Sequence, residues 1–207
     1  MICHDMPIKF NQWDVEGLSP RHNKAGAMTE TDPESAEIER TAVTETSEED
    51  ESSEADDLPS LRITADYQFG AGAGTALFPR DEELEIRRSS SGRPQQVHAD
   101  GTRLVTYATD GRFTLGLAGG ARLADVLDSP AGRVVVGDES EPFVRDGKNV
   151  FAKFVDEADG DIRAGDEVLV THENGDLLAV GRAELDADAI LDFTTGMAVK
   201  VRDSASE

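Results

Sequence analysis

Three sets of residues in this chain have the types and spacing to do chemistry. The first is Gly70, Gly72 and Gly74, at alternate positions in Asp66-Tyr-Gln-Phe-Gly-Ala-Gly-Ala-Gly-Thr75. Such glycines permit tight backbone and positive φ, as a phosphate-cradling loop requires. Neither the lysine and hydroxyl of a P-loop nor the βαβ surroundings of a dinucleotide site accompany them, so the stretch reads as a tight turn. The second set is histidine. His98 and His172 each lie beside an expected turn with no Ser or Cys partner at a suggestive spacing, and both read as surface residues. Cys3, His4 and His22 match no standard metal-site spacing. Carboxylates are too numerous for any pair to stand out as acid and base. No catalytic residue, metal ligand or cofactor is therefore expected.

The third set is cationic. Basic residues number 20 against 43 acidic ones, so each carries more information. Arg87, Arg88, Arg93, Arg103 and Arg112 fall in one part of the chain, and Arg145, Lys148, Lys153, Lys200 and Arg202 in another. Arginine forks suit phosphate oxygens. The alternative is that these side chains pair with the surplus carboxylates, and spacing alone does not separate the two.

The elements that would hold these residues follow from composition and periodicity. Residues 29–60 are Glu, Asp, Ser and Thr with few apolar side chains and a net charge of -12, and read as a disordered acidic tail. Residues 1–27 hold the only Cys and the only Trp and read as foreign to the rest, with Met28 as the expected true start. Leu61 to Tyr67 alternates apolar and polar, which predicts a strand. A helical turn is expected over 73–78 and strands over 84–88, 95–98, 103–107 and 112–117, with Asp100-Gly101 and Asp110-Gly111 as hairpin turns. A helix over 119–127 would bury Ala121, Leu123, Ala124 and Leu127. Residues 129–132 read as a linker. Beyond it, strands are expected over 133–136, 149–155, 166–171, 176–183 and 197–202, with Asn174-Gly175 as a strong hairpin signal. Asp138 is the expected cap of a helical turn, and a helix over 186–193 would bury Ile190, Leu191 and Phe193. So many short strands punctuated by glycine suggest a small, nearly closed barrel.

The net charge of -23 argues against a polyanion partner at low salt. Arginine in excess of lysine and acids spread over the whole folded part also fit a salt-adapted, halophilic protein. There the Debye length falls to about 3 Å and local contacts decide binding. No apolar run approaches the ~20 residues that cross a membrane, and the start lacks a secretion signal, so a cytoplasmic protein is expected.

Residues 133–203 resemble the PUA domain, the RNA-binding module of pseudouridine synthases and archaeosine transglycosylases. The match is carried by Arg133-Val-Val-Val-Gly-Asp-Glu-Ser-Glu-Pro-Phe-Val144, Gly147-Lys-Asn-Val-Phe-Ala-Lys153, Ile162-Arg-Ala-Gly-Asp-Glu-Val168 and Leu178-Ala-Val-Gly-Arg-Ala183. Residues 61–128 resemble the domain that precedes PUA in archaeal tRNA-guanine transglycosylases and archaeosine synthases. That match is carried by the glycine stretch, Ser91-Gly-Arg93, Asp100-Gly-Thr-Arg-Leu104 and Asp110-Gly-Arg-Phe-Thr-Leu115. The resemblance implies an α+β fold, a small pre-PUA domain followed by a PUA pseudo-β-barrel.

It also implies an RNA partner, typically the acceptor end of tRNA, gripped between the first PUA helix with its glycine loop and the closing strands. Carried over, Gly147, Lys148, Asn149 and Val150 would face the RNA, flanked by Arg145, Lys153, Gly181, Arg182, Lys200 and Arg202. A glycine loop would let phosphate approach backbone amides. The family's catalytic barrel, aspartate nucleophile and cysteine-rich zinc site have no counterpart in these residues. The expectation is therefore a non-catalytic RNA-binding protein, acting alone or in trans with a catalytic tRNA-modification subunit. The alternative is a protein–protein adaptor.

Overall fold

The computed structural model describes residues 48–206, with side chains from Asp57 onward. The expected foreign start and residues 29–47 of the expected tail lie outside the described residues. The first described element is a helix, α1 (Glu48–Phe69), which takes in residues 48–60 and also the stretch expected to be a strand. The apolar side chains there follow a helical period that the local alternation hides. Leu61 and Ala65 are buried, Leu58 and Phe69 pack against the same core, and the intervening Ile63 and Tyr67 are 71% and 93% exposed.

The glycine stretch is the corner between α1 and α2 (Ala73–Leu77). Gly70 and Gly72 adopt φ of 105° and 93°, which other residues rarely reach. A Cβ on Gly74 would lie 2.3 Å from the Arg62 carbonyl oxygen, so the third glycine lets the helices touch. Asp66 Oδ1 accepts the Gly74 amide at 2.8 Å and Arg62 donates to the carbonyls of Phe78 and Pro79, so polar groups of α1 close both ends of α2.

Four antiparallel strands follow in sequence order: β1 (Glu85–Arg88), β2 (Pro94–Ala99), β3 (Thr102–Tyr107) and β4 (Phe113–Leu115). Asp100 and Gly101 both have positive φ, as the tight β2–β3 hairpin demands. Gln68 of α1 accepts from the Phe113 amide at 2.7 Å and donates to its carbonyl at 2.8 Å, so a side chain completes the edge of β4 as another strand would. Helix α3 (Leu117–Val126) closes this first module, burying Gly119, Gly120 and Leu123, whereas the expected Ala121 is exposed.

The second module is a six-stranded sheet in the order β6-β10-β9-β8-β5-β7, wrapped towards closure. Its elements are β5 (Arg133–Val136), α4 (Glu141–Arg145), β6 (Val150–Phe151), β7 (Val155–Ala158), β8 (Glu167–His172), β9 (Leu177–Ala183), α5 (Ala187–Asp192) and β10 (Met197–Ser204). β5 and β8 run parallel and the other pairs antiparallel. The single strand expected over 149–155 is instead broken by a 3-10 turn, Ala152–Phe154, into β6 and β7, which lie at opposite edges of the sheet. Helix α5 buries Ile190, but Leu191 and Phe193 are about half exposed. Its cap is Asp186, which accepts the Ala189 amide at 2.9 Å.

The β8–β9 hairpin is buried on both faces. Val168, Val170 and Leu178 point into the barrel, while Leu169 and Val180 join the core of the first module. This explains why β8 reads as a continuous apolar run without alternation. A Cβ on Gly120 of α3 would sit 2.3 Å from Val180 Cγ1, so the helix rests directly on β9. Around this contact Leu115 donates its amide to Glu167 Oε2 at 3.1 Å, Arg112 meets Asp166 at 2.8 Å, and Arg202 pairs with Glu167. Arg133, 8% exposed, donates to the carbonyls of Ala124 and Leu127 at the end of α3.

Two outcomes follow. Gly120→Ala will destabilise the protein by about 1–3 kcal/mol in urea unfolding, through overpacking between α3 and β9. Burial raises the Glu167 carboxyl above the ordinary carboxylate range, against the opposing pull of the Leu115 amide, Arg202 and Arg112. The native state therefore holds this proton more tightly than the unfolded chain does. Wild type will lose stability relative to E167Q as pH rises from about 4 through the raised value. Unfolding free energies of both proteins between pH 4 and 7 check this; a pH-independent difference would contradict it.

Candidate nucleic-acid interface

Helix α4 ends in a Schellman turn. The Gly147 amide donates to the Val144 carbonyl and the Lys148 amide to that of Phe143, both at 2.9 Å, with Gly147 at φ 75°. This gives Gly147 a structural reason and corrects the sequence expectation. The amides that were to cradle phosphate are spent on the helix end. Asp138, the expected cap, is not one: the N-cap is Ser140, without a side-chain bond.

The chain after the turn is fixed by its side chains. Asn149 Oδ1 accepts the Val201 amide of β10 at 3.1 Å, and Val150, 2% exposed, belongs to the barrel core. β6 then pairs with β10 through Phe151 opposite Met197 and Val150 opposite Val199. Val150 thus reaches the interior rather than a ligand. Beside it, α4, the turn and the 3-10 segment enclose a groove of about 440 Å³ lined by Ser140, Phe143, Val144, Lys148, Asn149, Val150, Phe151 and Phe154.

The groove's character is aromatic. Phe143 is 63% and Phe151 47% exposed, a large apolar cost unless something covers them. Sequence reasoning missed these rings. The signal was present: three phenylalanines among twelve residues, interleaved with Lys148 and Lys153. Lys148 projects into solvent with Asp146 3.4 Å away, and the Lys153 ammonium lies 4.3 Å from the centre of the Phe154 ring.

The other expected residues divide. Arg145 is held by Glu141 at 2.8 Å, and its own carbonyl accepts from Ser204. Arg182 stands opposite Lys200 in the β9–β10 register and pairs with Glu184 at 2.6 Å. Lys200 is exposed and has no ion-pair partner among the described residues. Gly181 is buried, where a Cβ would meet the Lys200 carbonyl oxygen at 2.4 Å. Arg202 is engaged with Glu167 at the junction of the modules. Of the ten expected residues, Lys148, Asn149 and Val150 line the groove, where Lys148 is the charged side chain, and Lys153 sits over the ring of Phe154, which lines it.

The histidines depart from expectation. His98 and His172 are 6% and 8% exposed, so neither is a surface residue. His172 Nε2 lies 3.0 Å from Asp138 Oδ1 and 3.8 Å from Glu141 Oε2, and Nδ1 is 3.3 Å from the Asn174 amide. Burial of the ring disfavours charge, but its hydrogen bonds to Asn174 and Asp138 and the carboxylates of Glu141 and Asp138 raise its pKa above the usual value. Three potential cation-ligating groups converge here. The ring proton shared with Asp138 already accounts for the arrangement, as a clasp between the end of β8 and the segment leading into α4.

Groove and core residues will separate in a stability measurement. Phe143→Ala will change unfolding free energy by less than about 0.5 kcal/mol, as for exposed positions, whereas Val150→Ala will cost about 2 kcal/mol. Equal losses would mean that Phe143 is structural.

Residues 59–130 match the family described as patch-forming domain C2 of tRNA-guanine transglycosylase, and residues 132–204 match the PUA domain, an RNA-binding fold. The chain is 51% identical over 148 residues to the tRNA-guanine(15) transglycosylase of Pyrococcus furiosus and 47% identical over 148 residues to that of Methanothermobacter thermautotrophicus. These alignments cover 71% of this chain but only 25% and 22% of the relatives. A hypothetical protein of Pyrococcus horikoshii shares the fold at TM-score 0.59 and 22% identity, over 73% of this chain and 92% of that one. A conserved PUA domain protein from Thermoplasma acidophilum does so at 0.52 and 22%, over 74% and 90%. By sequence and by fold, the described part of this chain is a transglycosylase-type C2 domain joined to a PUA domain, similar to the C-terminal region of archaeal tRNA-guanine transglycosylases.

Proposed function

We propose that this chain is a non-catalytic RNA-binding protein that recognises tRNA at its acceptor end, alone or in trans with a catalytic tRNA-modification enzyme. The observation that carries this reading is the groove lined by the exposed Phe143 and Phe151 and by Lys148, with Lys153 over the Phe154 ring, on a PUA domain. A chain of net charge -23 gains little from long-range attraction to RNA, so recognition must rest on short-range contact. Aromatic faces supply it. Each stacked base contributes about 1–3 kcal/mol, and stacking needs unpaired bases, which the single-stranded 3′ end of a tRNA offers. The relatives' name supports a tRNA as the RNA and nucleoside modification as the setting. No described helix is long and apolar enough to cross a membrane, and an RNA partner would favour a cytoplasmic location.

A partner in trans is favoured by Ile63 and Tyr67, large apolar side chains exposed one turn apart on α1. They give the adaptor reading its footing: a protein surface at the first module and an RNA surface at the second.

Fluorescence anisotropy with a tRNA transcript tests the proposal. Phe143→Ala and Phe151→Ala will each weaken binding about 5- to 100-fold, the equivalent of one lost stack. Removing the unpaired 3′ nucleotides from the RNA will have a similar effect, and the two losses will not add. Unchanged affinity for the trimmed RNA would contradict acceptor-end recognition.

A further inference from the structure

We infer that the outer face of α1 is the docking surface for the catalytic enzyme, a stripe of Pro59, Ile63 and Tyr67 that seats in an apolar, cation-rimmed depression on that separate chain. The inference rests on the reading above that this protein works in trans. It adds the surface and the chemistry of the partner that fits it.

The stripe is set by helical geometry. Leu61 and Ala65 are buried, and Leu58 and Phe69 pack against the same core, which fixes the inward face of α1. Pro59, Ile63 and Tyr67 follow one another at intervals of four on the opposite side, and all three are exposed. They span about 12 Å along the axis. The polar side chains between them are already engaged within the first module. Arg62 donates to the carbonyls of Phe78 and Pro79, Thr64 to that of Ser60 at 3.0 Å, and Asp66 and Gln68 hold Gly74 and Phe113. What the outer face has left to offer a partner is therefore apolar. Tyr67 is 93% exposed, and Val126 adds a half-exposed side chain at the corner where α1 ends, beside Gly72.

The occupant follows from position and charge. The match to the C2 domain begins at residue 59, the first residue of the stripe. This chain corresponds to the C-terminal region of its relatives and covers only 25% and 22% of them. In those proteins the chain enters α1 from the greater part of the molecule, so the outer face of α1 begins next to the rest of the enzyme. Here the same helix is entered instead through seven acids and no base between Glu48 and Ser60. That border repels a second copy of this chain and repels RNA, and it complements a protein with a cationic surface, as an enzyme that holds tRNA must have. In concentrated salt the acids would steer orientation, while Ile63 and Tyr67 would carry the affinity.

Crosslinking from the stripe tests this. The full chain bearing Tyr67→p-benzoylphenylalanine is expressed in its source organism, irradiated there, and its adducts are identified by mass spectrometry. A chain with Asp188→p-benzoylphenylalanine, on the exposed side of α5, is the control. Position 67 is expected to capture one protein chain that carries a tRNA-modifying catalytic domain, and position 188 is not. With that chain purified, Tyr67→Ala and Ile63→Ala should each weaken the complex about 10- to 100-fold. Both should keep the wild-type unfolding midpoint and the wild-type affinity for a tRNA transcript. An adduct with a second copy, with RNA or with a protein lacking such a domain would overturn the inference, as would no adduct or unchanged affinity of the two alanine variants. If position 67 captures the enzyme but wild type does not bind tRNA, the docking surface stands and the RNA-binding reading fails.

Discussion

The burial of one hairpin on both faces holds this structure together. β8 and β9 supply Val168, Val170 and Leu178 to the barrel and Leu169 and Val180 to the neighbouring core, so the first module completes its interior with residues of the second. The middle of the hairpin is apolar on both faces, and it fixes the distance of approach. Gly120 sets that distance, since any side chain there would collide with Val180. The polar groups ringing the contact are satisfied in pairs: Leu115 with Glu167, Arg112 with Asp166, Arg133 with the end of α3. One carboxylate whose ionisation is opposed by its burial, and favoured by the Leu115 amide, Arg202 and Arg112, sits among them. The two domains thus form one compact unit, and the PUA groove is carried on a packed base.

On the proposed reading, that packed base is what would let so acidic a protein hold RNA. Lys148 and Asn149 follow a Schellman turn whose amides are already bonded, and Asn149 is tied to β10. The loop offers little backbone polarity to a ligand. What remains are the rings of Phe143, Phe151 and Phe154, set on short elements that cannot readily fold inward because Val144, Val150 and Ala152 beneath them fill the barrel. Stacking is insensitive to the dielectric screening of concentrated salt, whereas an ion-pair interface weakens with it. Aromatic contact is therefore the form of recognition compatible with this composition.

Much of this was legible in the sequence, and the misses have physical causes. Asp100-Gly101 and Asn174-Gly175 marked their hairpins because positive φ admits few residues. The PUA resemblance located the groove's loop. Alternation over Leu61–Tyr67 suggested a strand because seven residues fit both periods; the helical stripe emerges only when Leu58 and Phe69 are included. The strand over 149–155 hid a break, since nothing in Val-Phe-Ala-Lys-Phe-Val announces a 3-10 turn made by tertiary packing. Charge drew attention to Arg145, Arg182 and Arg202, which proved to be engaged with Glu141, Glu184 and Glu167. Exposure of an aromatic ring cannot be read from local pattern, because Phe78 and Phe113 are core while Phe143 and Phe151 are not.

The most direct measurement of the account is NMR of the ring and amide signals during titration with an RNA minihelix bearing an unpaired 3′ end. The account predicts that the ring protons of Phe143 and Phe151 and the amides around Lys148 and Lys153 shift together at one affinity. The rings of Phe78 and Phe113 in the first core should stay in place. Binding that shifted neither groove phenylalanine would contradict it.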